Sequence, residues 1–202
     1  MLAADRLSPA KLRDALGQCT IGREIIVLDQ TTSTNDVALQ MANGGAPEGL
    51  LVFGEHQTAG RGQRGNIWES AAGKGLLFSL LLRPTIAIKD SARLVDWAVK
   101  GVAWTIESVC SRKATIKPPN DVYIEGGKVA GVLVEMRAQS SAPHLAIVGI
   151  GINVNQTASH FTEELRDRAT SLAIVLGGPV DRNIVAIELL KNLDQSYREG
   201  FL

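Results

Sequence analysis

A chain of 202 residues in which 45% of side chains are hydrophobic and 21% charged has the makeup of a folded domain, which excludes a disordered or fibrous protein. Twenty-one basic residues balance twenty-one acidic ones. That removes the broad positive field with which proteins grip nucleic acid, so any anion must be met by a local cluster.

Residues 1–16 include Asp5, Arg6, Lys11, Arg13 and Asp14, so they hold no apolar secretory segment. No run of about 18 apolar residues occurs in the chain. A cytoplasmic protein with no membrane partner is expected, in which the Asn155-Gln156-Thr157 sequon meets no glycosylation machinery. Ser8-Pro9 followed by Lys11 and closed by Gly17 has the capping hydroxyl, first-turn proline and terminal glycine of a short helix. A strand is predicted at 24–28, a helix at 34–42 stopped by Gly44-Gly45, and strands at 50–56 and 76–82. Across 90–110, Leu94, Val95, Ala98, Val102, Ile106 and Val109 recur at three- and four-residue steps, the pattern of a long helix buried along one face. Strands follow at 114–116, 122–124, 128–137 and 144–153. Glu125-Gly126-Gly127 supplies the positive-φ residues of a hairpin, and such adjacency predicts antiparallel pairing. Asp181 caps a last helix whose inner face is Ile184, Ile187, Leu190, Leu193 and Tyr197. Cys19 and Cys110 fall in helical stretches without ligand spacing, and read as neutral thiols. The expectation is one α+β domain over 1–202, with a mixed, mostly antiparallel sheet flanked by helices.

Several segments bear chemistry. Gly60-Arg61-Gly62-Gln63-Arg64-Gly65 sets three glycines and two arginines in six positions just after an apolar strand. Such a loop wraps an anion, because glycine lets backbone N–H groups approach and arginine offers a planar fork of donors. A basic surface hairpin is the plain alternative. In Lys117-Pro118-Pro119-Asn120-Asp121 the prolines stiffen the backbone and aim the lysine, amide and carboxylate, although a stiff turn would look the same. Lys128 follows the glycine hairpin, where a solubility lysine is also common. Gly149-Ile150-Gly151-Ile152-Asn153 lacks the third glycine of a dinucleotide fingerprint, so close backbone approach to a flat ligand competes with a β-bulge. Gly73-Lys74-Gly75 fails as a phosphate loop for want of Ser or Thr after the lysine. Ser33-Thr34-Asn35 fits a helix cap.

Together and in this order, Ser33-Thr34-Asn35, the segment 55–68, the segment 117–121, the segment 128–135 and Gly149 to Asn153 resemble the biotin protein ligase family, from about Val27 to Asn155. The resemblance implies a class II aminoacyl-tRNA-synthetase-like catalytic fold. It also implies activation of biotin by ATP to biotinyl-adenylate and transfer to a lysine of a biotin carboxyl carrier protein, as in acetyl-CoA carboxylase. ATP and Mg²⁺ would act as co-substrate and ion, with no tightly bound prosthetic group and no metal held by the protein alone. By the same resemblance Ser33, Thr34, Gln57 and Gly131 face biotin, and Arg61 and Lys128 meet its carboxylate. Arg64, Trp68, Asn120 and Asn153 lie on the nucleotide side. Lys128, Arg61 and Lys117 are expected as the catalytic cations, and the need to free the acceptor amine of its proton leads us to expect Asp121 to orient or deprotonate it.

The sequence departs from the family pattern at Gln63, where arginine is usual, at Pro118, where tryptophan is usual, and at Asn66, which replaces a commonly basic residue. Looser retention of the adenylate is expected. The chain holds no N-terminal helix-turn-helix domain and no small C-terminal barrel domain of the kinds seen in that family, so a repressor role is not expected. A lipoate- or octanoate-transferring relative and a non-catalytic biotin-binding module are the competing readings. An exposed edge strand allows a homodimer.

Overall fold

Seven strands form one mixed sheet in the computed structural model, which describes residues 6–138 and 143–201. The outermost ends of the expected domain, residues 1–5 and 202, lie outside these. The strands are β1 (Glu24–Leu28), β2 (Leu50–Gly54), β3 (Gly75–Leu82), β4 (Ala114–Lys117), β5 (Asp121–Ile124), β6 (Gly127–Arg137) and β7 (Leu145–Asn153), in the spatial order β1-β2-β3-β7-β6-β5-β4. Every neighbouring pair is antiparallel except β1 and β2. That pair is parallel because the helix α2 (Thr34–Asn43) carries the chain back across the sheet between them. The α+β reading is correct, with this parallel pair making the sheet mixed.

The alternation of side chains along the strands decides what each face holds. Leu51 and Phe53 of β2, Leu76, Phe78, Leu80 and Leu82 of β3, and Ala146, Val148, Ile150 and Ile152 of β7 join the main core. Helices α1 (Pro9–Leu16), α3 (Ala92–Cys110) and α6 (Arg182–Phe201) contribute Leu12, Leu94, Val102, Ile106, Leu189 and Leu193 to the same cluster. On the opposite face, Leu50, Val52, Leu81, Leu145 and Ile147 meet Ala38 and Ala42 of α2. This second cluster is small because α2 covers only one end of the face. Further along, the positions of that face are Gly149 and Gly151 of β7 and Gly131 of β6, and the sheet there is left open as the floor of a cleft.

The helix signals behave as their chemistry dictates. Ser8 Oγ accepts the Lys11 amide at 3.3 Å, and Gly17 ends α1 at φ 61°. The β5–β6 hairpin turns on Glu125 and Gly126, both at positive φ. Gly127 instead opens β6 at ordinary φ, and its missing side chain matters because a Cβ there would lie 2.8 Å from Thr170 Cβ. Of the two readings at Gly149–Asn153 the bulge does not occur, since β7 pairs in continuous register on both sides; the irregularity lies in β5, between Val122 and Tyr123.

Two assignments need correction. Ile184 is 55% exposed, and the inner face of α6 begins instead with the buried Val185, Ala186 and Leu189, because the first turn sinks Arg182 and Asn183 into the protein. Cys19 sits in the loop after α1, whereas Cys110 does end α3. Burial is the main cause that raises both thiols above their usual range, so they stay protonated near neutral pH. Two short helices, α4 (Glu163–Arg166) and α5 (Leu172–Leu176), stand between β7 and α6. Among the described residues no helix is long and apolar enough to cross a membrane.

Candidate functional site

A cleft of about 230 Å³ opens above the glycine floor, between the start of α2, the 60–68 loop and the β5–β6 hairpin. Its inner end is a buried polar network. The first residue of α2, Thr34, gives its amide to Gln57 Oε1 at 2.8 Å and its hydroxyl to the same oxygen at 3.1 Å. Ser79 of β3 lies 2.7 Å from the Thr34 hydroxyl and also bonds Asn35 Oδ1. Asn35 Nδ2 in turn donates to Glu135 Oε2 at 2.6 Å. Gly149 is required here, since a Cβ would fall 2.3 Å from Asn35 Oδ1. Ser33 occupies the cap position of α2 but makes no side-chain capping bond, and it is buried against the cleft. Its hydroxyl is therefore available for a ligand, which a plain helix cap would not be.

The glycine-arginine loop forms the lid side. Trp68 N donates to Gly60 O and Gly62 N to Asn66 O, so the loop folds back on itself. Its tip turns at Arg64 (φ 58°) and Gly65 (φ 80°). Arg61 bridges Asp36 Oδ2 at 2.7 Å and Glu135 Oε2 at 3.2 Å. The hydrogen bond to Asp36 is the main cause that pushes its guanidinium further above its usual range, so Arg61 is a permanent cation. The Trp68 indole lies flat against the floor: a Cβ on Gly151 would be 2.5 Å from Trp68 Cε2, and one on Gly131 3.0 Å from Trp68 Cζ3. Its Nε1 is buried without a hydrogen-bond partner, an orphan donor of the kind a ligand or water satisfies.

Lys128, one residue into β6, places Nζ 2.7 Å from Asp121 Oδ1 and 5.7 Å from the centre of the Trp68 ring. Asn120 is fixed by reciprocal bonds with Val132: its side chain donates to the Val132 carbonyl at 2.8 Å and its carbonyl accepts the Val132 amide at 3.0 Å. The lining therefore carries Arg61, Arg64 and Lys128 against the single carboxylate Asp121. Asp36 and Glu135, which pair with Arg61 from beside the lining, balance this charge, so Arg64 is the cation of the cleft without a carboxylate partner among the described residues.

Of the residues singled out from the sequence, Ser33, Thr34, Gln57, Arg61, Arg64, Trp68, Asn120, Asp121, Lys128 and Gly131 all line this cleft. Two do not. Lys117 is exposed, and its ammonium lies 3.7 Å over the Tyr123 ring, outside the lining. β4 is an edge strand, and Lys117, paired with Asp121 on the cleft side of the sheet, leans over Tyr123 instead of reaching into the cleft. Asn153 is buried at the end of β7, donating to Thr170 O at 3.0 Å and accepting from Gln156 Nε2 at 3.1 Å, so its amide is spent on holding the 153–170 segment. Sequence reasoning missed Asp36, Ser79 and Glu135. The periodic position of Ser79, a lone hydroxyl within an apolar strand, was the signal open to it; nothing local marks the other two.

The profile of the biotin/lipoate A/B protein ligase family matches residues 27–153. The chain belongs to this family. Within it, the likeness runs to biotin ligases. The chain is 39% identical over 194 residues to the bifunctional ligase/repressor BirA of Bacillus spizizenii, covering 96% of this chain and 60% of that protein. It is 34% identical over 214 residues to the biotin–[acetyl-CoA-carboxylase] ligase of Mycobacterium tuberculosis, covering 96% and 73% respectively. The Aquifex aeolicus biotin protein ligase solved with biotin and ATP superposes with a TM-score of 0.73 at 33% identity, covering 89% of this chain and 73% of that one. The class II aminoacyl-tRNA-synthetase-like architecture of the biotin protein ligases is thus the fold of this chain. It spans 60% of the length of the first of these relatives.

Proposed function

We propose that the chain joins biotin to ATP as biotinyl-adenylate and then transfers the biotinyl group to a lysine of a biotin carboxyl carrier protein. The observation that carries this reading is the convergence of Arg61 and Lys128, distant in sequence, on one glycine-floored cleft whose inner end is polar and buried. In the first step a carboxylate oxygen of biotin bonds to the α-phosphorus of ATP, and the bond to pyrophosphate breaks. Two unit charges about 4 Å apart repel by roughly 4 kcal/mol at an effective dielectric of 20. Lys128 and Arg61 offset that repulsion and stabilise charge developing on the phosphoryl oxygens. Arg61 must exchange Asp36 and Glu135 for ligand oxygens as the loop closes, while Ser33, Thr34 and Gln57 meet the urea of biotin.

In the second step the nitrogen of a neutral carrier lysine attacks the carbonyl carbon, and the bond to AMP breaks. Asp121 orients that amine or takes its proton. Asp121 is also the one carboxylate in the lining, which fits Mg²⁺ held by triphosphate oxygens with one protein ligand. That ion would supply further charge neutralisation on the phosphates. The neutral side chains of Gln63 and Asn66, which flank Arg64 at the lip, favour faster escape of the adenylate. Zero net charge supports a partner that is not nucleic acid, and the sequence supports a cytoplasmic setting. The edges β1 and β4 leave room for pairing of two copies.

The test is biotin-dependent pyrophosphate release with ATP and Mg²⁺, followed by labelling of a carrier domain. Both are expected. Neither occurs with a binding module, and lipoate replaces biotin in a lipoate-transferring relative. Asp121→Asn is expected to slow transfer from preformed adenylate by about 10²-fold; transfer at the wild-type rate removes its role.

A further inference from the structure

The loop carrying Gln57, Arg61, Arg64 and Trp68 covers residues 56–74 and is largely irregular. A loop of that length keeps one shape only when its stems are fastened. Both stems meet a single side chain from the far end of the sequence. Arg182, the first residue of α6, is fully buried. Its Nη1 donates to Glu55 Oε2 at 2.6 Å and to the Gly75 carbonyl at 3.0 Å. Glu55 follows the last residue of β2 and Gly75 is the first of β3. The Gly73 amide closes the same neck by donating to the Glu55 carbonyl at 2.8 Å. The other carboxylate oxygen, Glu55 Oε1, accepts the Leu7 amide at 3.0 Å. Next to Arg182, the Asn183 side chain accepts the Ser8 amide at 2.9 Å and donates to the Arg6 carbonyl at 3.2 Å.

A buried ion pair contributes little that well-packed apolar residues would not supply equally. What apolar residues lack is the rigid planar donor of a guanidinium: the two N–H bonds of Nη1 point in fixed directions, reach Glu55 and Gly75 at once and fix the distance between them. We infer that Arg182 is a positioning residue for the ligand loop. By holding Glu55 and Gly75 together it sets the width of the neck, and with it the place at which Gln57 and Arg61 arrive in the cleft. The kinetic consequence rests on the biotin-activating reading above; the structural one does not.

The experiment compares wild type, Arg182→Lys, Arg182→Gln with Glu55→Gln, and Leu189→Ala as a destabilised control whose side chain is buried in the same helix. Trypsin cleavage after Arg61 and Arg64 speeds up when the loop departs from its folded position. In both Arg182 variants, cleavage at these two sites is expected to accelerate about tenfold or more, while other basic sites stay protected. In Leu189→Ala any increase is spread over all basic sites. Where activation is measurable, KM for biotin rises about tenfold with little change in kcat, the pattern of lost ligand positioning. Loop cleavage no faster than in the Leu189→Ala control overturns the inference. Should the variants not fold, hydrogen exchange on the wild type decides. The Gly73 amide is expected to exchange as slowly as the sheet core, and exchange as fast as the Gly62 amide at the tip overturns the inference. A wild type that binds no biotin yet shows the cleavage pattern sinks the functional reading and leaves the clamp standing.

Discussion

The two ends of the cleft are built in opposite ways. At the inner end Thr34, Gln57, Ser79, Asn35 and Glu135 bond one another in a chain that runs from α2 across β3 to β6. At the lip Gln63, Arg64, Asn66 and Ile67 line the same cleft from an irregular loop, Ile67 is 74% exposed, and among the described residues none pairs with Arg64. The inner end is preorganised, so it loses little entropy when a ligand arrives. At the lip the hydrogen bonds are backbone bonds within the loop. In the proposed reaction, recognition of biotin falls to the inner end and retention of the charged adenylate to the lip.

That contrast is broken most severely at the floor. Gly151→Ala puts a methyl 2.5 Å from the Trp68 indole, so either the ring or β7 must move. A roughly ten- to hundredfold loss of biotin affinity is expected by calorimetry, corresponding to the 1–3 kcal/mol usual for overpacking. Unchanged affinity would mean that Trp68 has no bearing on the ligand. A milder change sharpens the contrast at the lip. Gln63→Arg adds a charge-assisted donor, and release of biotinyl-adenylate is expected to slow by about tenfold in a chase experiment while biotin affinity holds. Equal off-rates would show that the lip does not govern retention. The smallest effect belongs to Lys117, packed on Tyr123 outside the cleft. Lys117→Ala is expected to cost about 0.5–1 kcal/mol of stability in urea titration, and to reduce activation far less than Lys128→Ala does.

The fold was legible where patterning is local. Leu94 to Ile106 repeat at helical spacing, Ser8 and Gly17 punctuate α1, and the strand runs are apolar for the length a strand needs. α5 had its own punctuation in Ser171 and Gly177, whose side chain and positive φ do cap it, but five residues give no periodicity to read. Ile184 was misplaced because the first turn of α6 is set by Arg182 and Asn183, whose partners lie over 100 residues away. The same limit applies to the site. Arg61, Lys128 and Gln57 were visible through motif and resemblance, whereas the carboxylates of Asp36 and Glu135 meet Arg61 only through the crossing of α2 and β6. Lys117 and Asn153 show the converse. A motif brings a residue near a site without fixing which way its side chain points, and β4 ends with Lys117 turned to Tyr123.

The account stands or falls on whether the cations of this cleft act on the biotin carboxylate and the α-phosphate together. Biotin-dependent exchange of labelled pyrophosphate into ATP, measured for wild type and Lys128→Ala side by side, reads that step without any carrier protein. The wild type is expected to catalyse exchange, and Lys128→Ala to lose on the order of 10²–10³-fold in rate while still folding and still binding the inner end of biotin. Exchange at the wild-type rate in the folded variant would contradict the assignment.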